Sequence, residues 1–334
     1  MDLMPAIPLI DDRFVLAARG AKDTVDPQRP HAFLVEPEIS AGGRVEDVAT
    51  IFLTNRECPF RCVFCDLWRQ TTDERVPVGA IPAQIDYALA RLPPASHIKL
   101  YNSGNFFDRQ AIPPEDYGAI AQRIARYRTV IVENHPKLCG QICVEFRDLL
   151  REVAKKQAPA GVPGAPADGA PTLEVALGLE TVHPDVLPRL NKQMTLDDFQ
   201  RAAAFLTAHE IALRAFVMLN PPFMPDGECV DWAIKSIEFA FDCGVRACAI
   251  IPTRSGNGIM ERLERDGLFS SPTLAELEDA LTGGLVLRRG RVFVDLWEIE
   301  RLLECPRCGA ARRDRLARMN LSQEILPAIG CSCT

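Results

Sequence analysis

The chain has 334 residues, 47% of them hydrophobic and 25% charged, with a formal net charge of −7. That length holds one large domain with a substantial core plus a small appendage, the composition is that of a globular protein, and the net acidity excludes a wholly basic nucleic-acid surface. No apolar run approaches the length of a membrane span. Met1 to Ile10 is apolar, but it lacks a basic segment and contains Pro5 and Pro8, so it does not read as a signal peptide. Seven of the twelve cysteines fall into two metal-type clusters rather than a secreted disulfide framework, which points to a reducing cytoplasm.

In chain order, residues 1–46 read as an amino-terminal extension. The β-branched, apolar run Val48–Leu53 then predicts a strand that ends just before a cysteine-rich loop. Further strands are predicted at Ile98–Tyr101, Val130–Val132, Leu173–Leu179, Leu213–Leu219 and Ala247–Ile251. Helical patterns at Pro82–Arg91, Pro114–Tyr127, Leu196–His209 and Cys229–Cys243 are long enough to return the chain to a parallel sheet. The expected fold is α/β, a partial (β/α)6 TIM-like barrel over residues 47–260, with functional groups on the loops after the strands. A Pro/Ala/Gly stretch at 155–171 reads as a flexible surface insertion before the fourth strand, with no catalytic role. Residues 261–334 form a carboxyl-terminal region that carries a second cysteine set.

The first cysteine set is Cys58-Pro-Phe-Arg-Cys62-Val-Phe-Cys65. Three thiolates on a short loop can hold an iron–sulfur cluster while leaving one iron open for chemistry. A zinc knuckle would want a fourth ligand nearby, and the next cysteine is Cys139. The spacing, with Phe64 just before the third cysteine, resembles the radical S-adenosylmethionine (SAM) enzymes. The resemblance implies a [4Fe-4S] cluster on Cys58, Cys62 and Cys65, with SAM chelated to the open iron through its amino and carboxylate groups. It also implies reductive cleavage of SAM to a 5′-deoxyadenosyl radical, fed by a low-potential ferredoxin or flavodoxin.

Other motifs extend the likeness. Ser103, Gly104 and Asn105 follow the second strand, where the family contacts the SAM amino group. Glu133 and Glu180 end the third and fourth strands, where a carboxylate can bind ribose hydroxyls or an ammonium. Residues 178–199 are similar to a signature of the Elongator catalytic subunit and tRNA methylthiotransferase subgroup, in which Lys192 matches a basic position near the SAM carboxylate. His135 and His183 precede prolines and are explained by loop geometry. Asn220, Pro221, Pro222, Thr253 and Arg254 are candidate substrate-pocket residues. From about Val48 to Met260 the motifs resemble the radical SAM enzymes of archaeosine synthesis, which act on a modified deazaguanine base in tRNA. Two other readings stay open: a radical SAM maturase of a peptide or small natural product, and an iron–sulfur or zinc scaffold without SAM chemistry.

The second set, Cys305-Pro-Arg-Cys308-Gly with Cys331-Ser-Cys333, offers four thiols in two close pairs. Zinc is the first reading, an auxiliary iron–sulfur cluster the second and no metal the third, because ligand type alone does not fix the metal. Cys139, Cys143, Cys229, Cys243 and Cys248 fall in helical or strand patterns and read as core packing. Arg288, Arg289, Arg291, Arg307, Arg312, Arg313, Arg315 and Arg318 could form a local phosphate-binding patch for tRNA, or a solvated helix face.

Overall fold

The computed structural model describes residues 10–157 and 170–331. Cys333 and residues 158–169 of the Pro/Ala/Gly stretch lie outside the described residues. Helix α1 (Asp12–Ala18) starts at Asp11, whose carboxylate accepts the Phe14 N–H at 2.8 Å. Strands β1 (Ala32–Ile39) and β2 (Val45–Phe52) then pair antiparallel, with Ala32 opposite Phe52. Beyond β2, helices alternate with strands: α2 (Ala80–Leu89), β3 (His97–Tyr101), α3 (Tyr117–Ile124), β4 (Thr129–Asn134) and α4 (Gln141–Gln157). The alternation continues through β5 (Thr172–Glu180), α5 (Leu196–Ala208), β6 (Ala212–Leu219), α6 (Cys229–Asp242) and β7 (Ala247–Pro252). Helices α7 (Ile259–Arg265) and α8 (Leu274–Val286) lead into β8 (Arg291–Val294), and α9 (Gly309–Ser322) follows.

The strands form one sheet in chain order, parallel at every pairing from β2 to β8. The partial barrel expected from sequence is therefore present. It carries two strands more than the six predicted. Strand β1 escapes a hydrophobicity scan because Glu36, Pro37 and Glu38 interrupt it, and Pro37 is tolerated there because β1 is an edge strand. Strand β8 escapes because it has only four residues.

Alternation along the strands separates two environments. Ile98, Leu100, Val130, Val132, Leu173 and Val175 are buried in one layer with Ile85 of α2, Ile120 of α3 and Leu150 of α4. Full burial of each such side chain contributes about 1.5–3 kcal/mol. The opposite faces point into the barrel, where the amino end is filled by ions. Lys99 of β3 lies 2.7 Å from Glu38, and Arg214 of β6 lies 2.5 Å from Glu38 and 2.7 Å from Glu174 of β5. Glu36 and Glu38 thus make β1 a strut across the barrel floor. Helix α9 packs against both β1 and β8, spanning the gap between the two sheet edges.

Because β2 to β8 run parallel, the loops after them gather on one edge. The cysteine loop, residues 102–108, Glu133, Glu180 and Lys192, Asn220, Arg254 and the 295–308 segment all leave the sheet on that side.

Candidate active site at the carboxyl edge of the sheet

The cysteine loop is anchored at its root by Gln84 of α2, which accepts the Thr54 N–H at 2.8 Å and donates to the Thr54 carbonyl at 2.7 Å. Its crest is held from two distant segments, 190–191 and Asn257. The Asn257 side chain donates to the Val63 carbonyl at 2.8 Å and the Cys65 carbonyl at 3.2 Å, while its oxygen accepts the first N–H groups of α7, from Ile259 and Met260. Asn191 donates to the Arg61 carbonyl at 2.7 Å and to Asp12 at 2.9 Å. The Val63 N–H reaches the Leu190 carbonyl at 3.0 Å. Neither Asn191 nor Asn257 stood out in sequence. The available signal for Asn257 was its place just before a helix, where asparagine satisfies exposed amides.

Burial pushes the three thiols upward, Cys62 to about 12, so in the absence of metal they keep their protons. Metal binding must expel those protons, which soft divalent and cluster iron do readily at thiolate sites. The donor set fits an iron–sulfur cluster. Among the described residues, Cys58, Cys62 and Cys65 are not a group whose ligand atoms all lie within 4.8 Å of one another, whereas Cys305, Cys308 and Cys331 are. Thiols that share one ion must be that close, and thiols that hold different irons of a cluster need not be.

The segment after β3 closes on Cys58. Asn105 donates its side-chain N–H to the Cys58 sulfur at 3.2 Å. Gly104 keeps this approach close, since a Cβ there would stand a tight 3.2 Å from the Cys58 Cβ. Ser103 takes the left-handed backbone at φ +52. Glu133 holds this turn in shape. Its carboxylate accepts the Asn102 N–H at 2.6 Å and the Gly104 N–H at 3.2 Å.

Glu180 and Lys192 form a buried ion pair at 2.7 Å. Glu180 adopts φ +65 where the register between β5 and β6 shifts, and the irregularity aims its carboxylate across Gly178. A Cβ at Gly178 would meet the Glu180 carboxylate at 2.2 Å and the Lys192 ammonium at 2.6 Å. Burial works against the charged form of Lys192, but the Glu180 carboxylate beside it outweighs that and holds the ammonium charged. His135 supports the same strand of contacts. Burial lowers it to about 3, its Nδ1 accepts the Lys137 N–H at 3.2 Å, and the neutral ring then carries its hydrogen on Nε2, 3.1 Å from the Lys192 carbonyl. Phe60 of the cysteine loop stacks on that ring at 3.7 Å.

Other predicted residues are engaged elsewhere. Asn220 donates to the Ser270 carbonyl at 2.9 Å, and Arg254 pairs with Asp295. Pro221 and Thr253 are buried, and Phe64 is half-buried against the core. Arg312 and Arg315 pair with Glu278 at 2.6 and 3.2 Å, and Arg291 reaches Glu174 inside the barrel. The arginine run therefore offers fewer surface cations than its count suggests. Half-buried Phe52, Tyr101 and Phe216 form a chain of edge contacts on inward-facing strand positions, with ring centroids 6.1 Å apart at each step. The exposed Trp297 lies 6.2 Å from Phe52. Sequence reading missed these rings because they are scattered over three strands and a loop. At the carboxyl end, Cys305 and Cys331 have sulfurs 4.0 Å apart, and with Cys308 they are close enough to share a metal ion.

A curled, largely parallel sheet with a three-thiol loop at the carboxyl end of its first parallel strand is the arrangement of the radical SAM type, and this chain resembles that class in fold and motif together. It is 24% identical over 231 residues to the archaeosine synthase subunit beta of Methanosarcina acetivorans, covering 66% of this chain and 60% of that protein. It is 29% identical over 142 residues to the subunit of the same name from Thermococcus kodakarensis, covering 42% of this chain and 39% of that one. An uncharacterised protein of Methanocaldococcus jannaschii is 20% identical over 339 residues, with 92% of this chain and 86% of the relative covered. No family model matches. Among solved structures, methylornithine synthase aligns over 81% of this chain and 69% of its own at 11% identity, with a TM-score of 0.49. An amino-terminally truncated Elp3 from Methanocaldococcus infernus aligns over 72% and 58% at 15% identity, with a TM-score of 0.46. Among the described residues, no helix is long and apolar enough to cross a membrane.

Proposed function

We propose that the protein is a radical SAM enzyme acting on a modified nucleobase of tRNA, with Cys58, Cys62 and Cys65 as ligands of a [4Fe-4S] cluster. The observation that carries this reading is the pairing of three half-buried thiols on one loop with the buried, charged Lys192 beside Cys62. When bound, the cluster supplies reductive cleavage of SAM, and with it hydrogen-atom abstraction. The chain's own residues position and shield the reactants. Lys192 offers a fixed cation for the SAM carboxylate, with Glu180 as its counter-charge and a partner for ammonium or hydroxyl groups. The turn at Ser103 and Gly104 brings backbone next to Cys58. Asn105 draws charge from the Cys58 sulfur, a contact of the kind that tunes cluster potential. Phe64 packs behind the loop.

The nucleobase is favoured over a peptide by the Phe52, Tyr101, Phe216 and Trp297 rings, because stacking on aromatic faces is how extruded bases are held. The two relatives named archaeosine synthase subunit beta point the same way. A low-potential ferredoxin or flavodoxin would deliver the electron, and the carboxyl-terminal thiols would hold zinc or an auxiliary cluster.

The test is anaerobic reconstitution with iron and sulfide, followed by dithionite and SAM, with 5′-deoxyadenosine measured in the wild type and in Cys62→Ala. We expect release that depends on Cys62 and rises when tRNA is added. A fully loaded cluster that releases none, even with cell extract present, would return the protein to the scaffold reading. Stimulation by a peptide fraction instead of RNA would replace the substrate.

A further inference from the structure

We propose that Cys305, Cys308 and Cys331 supply three of the four ligands of a single zinc ion, and that this ion fixes one wall of the barrel mouth. The role, though not the metal, rests on the mouth being the active site. A tetrahedral zinc with bonds near 2.3 Å places its sulfur ligands about 3.8 Å apart. The Cys305 and Cys331 sulfurs are 4.0 Å apart, and all three ligand atoms lie within 4.8 Å of one another.

Two features outside the thiols assemble this site. The Cys305-Pro-Arg-Cys308-Gly turn closes with the Gly309 N–H on the Cys305 carbonyl at 2.9 Å, and the Arg312 guanidinium donates to the Cys308 sulfur. A cation donating to a thiolate is the outer contact that zinc sulfur ligands favour. The returning chain is clamped separately. Buried Arg315 donates to the Leu326 carbonyl at 2.7 Å and the Pro327 carbonyl at 2.9 Å, and Glu278 holds Arg312 and Arg315 together. That clamp delivers Cys331 to the turn.

The location follows from α9. The side chains of Asn320 and Gln323 bond to Val294 and Val292 respectively, so α9 runs antiparallel to β8 and its first turn stands on the mouth side. Cys308 is twelve residues before Asn320, which places it about 18 Å beyond the level of Val294 at 1.5 Å per residue. Between β8 and the cysteines run Asp295, partner of Arg254, and Trp297, whose ring meets Phe52 at the end of β2. A zinc ion at the far end of this segment pins it at the rim.

The test uses the full chain carrying Cys58→Ser, Cys62→Ser and Cys65→Ser, so that the cluster loop is silent. Metal analysis should find one zinc per chain, lost on Cys308→Ser, and cobalt alone should give the thiolate-to-metal absorption of a tetrahedral site that zinc then displaces. Chelation should speed proteolysis after Leu303. Iron and sulfide retained on the triple variant, or no stoichiometric zinc and no cobalt spectrum, would overturn the proposal. Because the readout is metal content in a chain unable to cleave SAM, its failure is distinct from failure of the enzyme reading.

Discussion

Glu133 sits where burial and hydrogen bonding pull its carboxyl in opposite directions. Burial raises it from the ordinary 4.5 to about 7, while the N–H groups of Asn102, Ser103 and Gly104 pull it down without prevailing. Between pH 4.5 and 7 the folded chain keeps a proton that the unfolded chain has released, so stability from this group falls as pH rises through that window and levels off above it. The shift spans 2.5 pH units, from 4.5 to 7, which sets the drop at no more than about 3.4 kcal/mol. Glu133→Gln keeps one oxygen for the Asn102 N–H and cannot ionise. Denaturant midpoints measured from pH 4 to 8 should slope downward in the wild type more steeply than in the variant. Parallel curves would mean that the carboxyl titrates normally. The same group bears on the site, because the turn that it holds approaches Cys58 at Gly104.

The cysteine loop has little regular structure of its own, so its shape depends on what other elements lend it. Asn257 is the strongest of these ties, since one amide bonds two loop carbonyls and two amides of α7. Asn257→Ala should cost about 1–3 kcal/mol, the usual result of leaving buried backbone groups unpaired, and should lower the iron and sulfide retained after reconstitution. Wild-type iron content in this variant would show that the thiols need no such support. This dependence also explains what the sequence could and could not disclose. Strands such as Val130–Val132 and the three cysteines were legible because their signal is local, in spacing and β-branched runs. Asn191, Asn257 and the Phe52, Tyr101 and Phe216 rings were not, because their roles exist only after distant strands align. His135 looked like a plain loop residue before a proline, and only the fold places its ring between Phe60 and the Lys192 carbonyl.

A partial barrel leaves two sheet edges, and exposed edges invite pairing with other chains. Here β1 and β8 are those edges, and α9 covers the gap with side chains that imitate a strand. Asn320 exchanges two bonds with Val294, both at 2.9 Å, and Gln323 exchanges two with Val292, at 2.7 and 2.9 Å. Each amide side chain thus presents one donor and one acceptor in the order a neighbouring strand would. These bonds link the carboxyl-terminal region to the barrel and hold β8 in register with β7, on which Arg254 and its partner Asp295 depend. Replacing both residues by alanine removes four bonds, worth about 2–6 kcal/mol in sum. It should also raise amide hydrogen exchange at Val292 and Val294 while β3 to β5 stay protected, since their pairing and packing lie on the far side of the barrel. If exchange at β8 were unchanged, the edge would be held by α9 packing alone. If instead the whole sheet lost protection together, the barrel would be a single cooperative unit whose closure by α9 the parallel strands require.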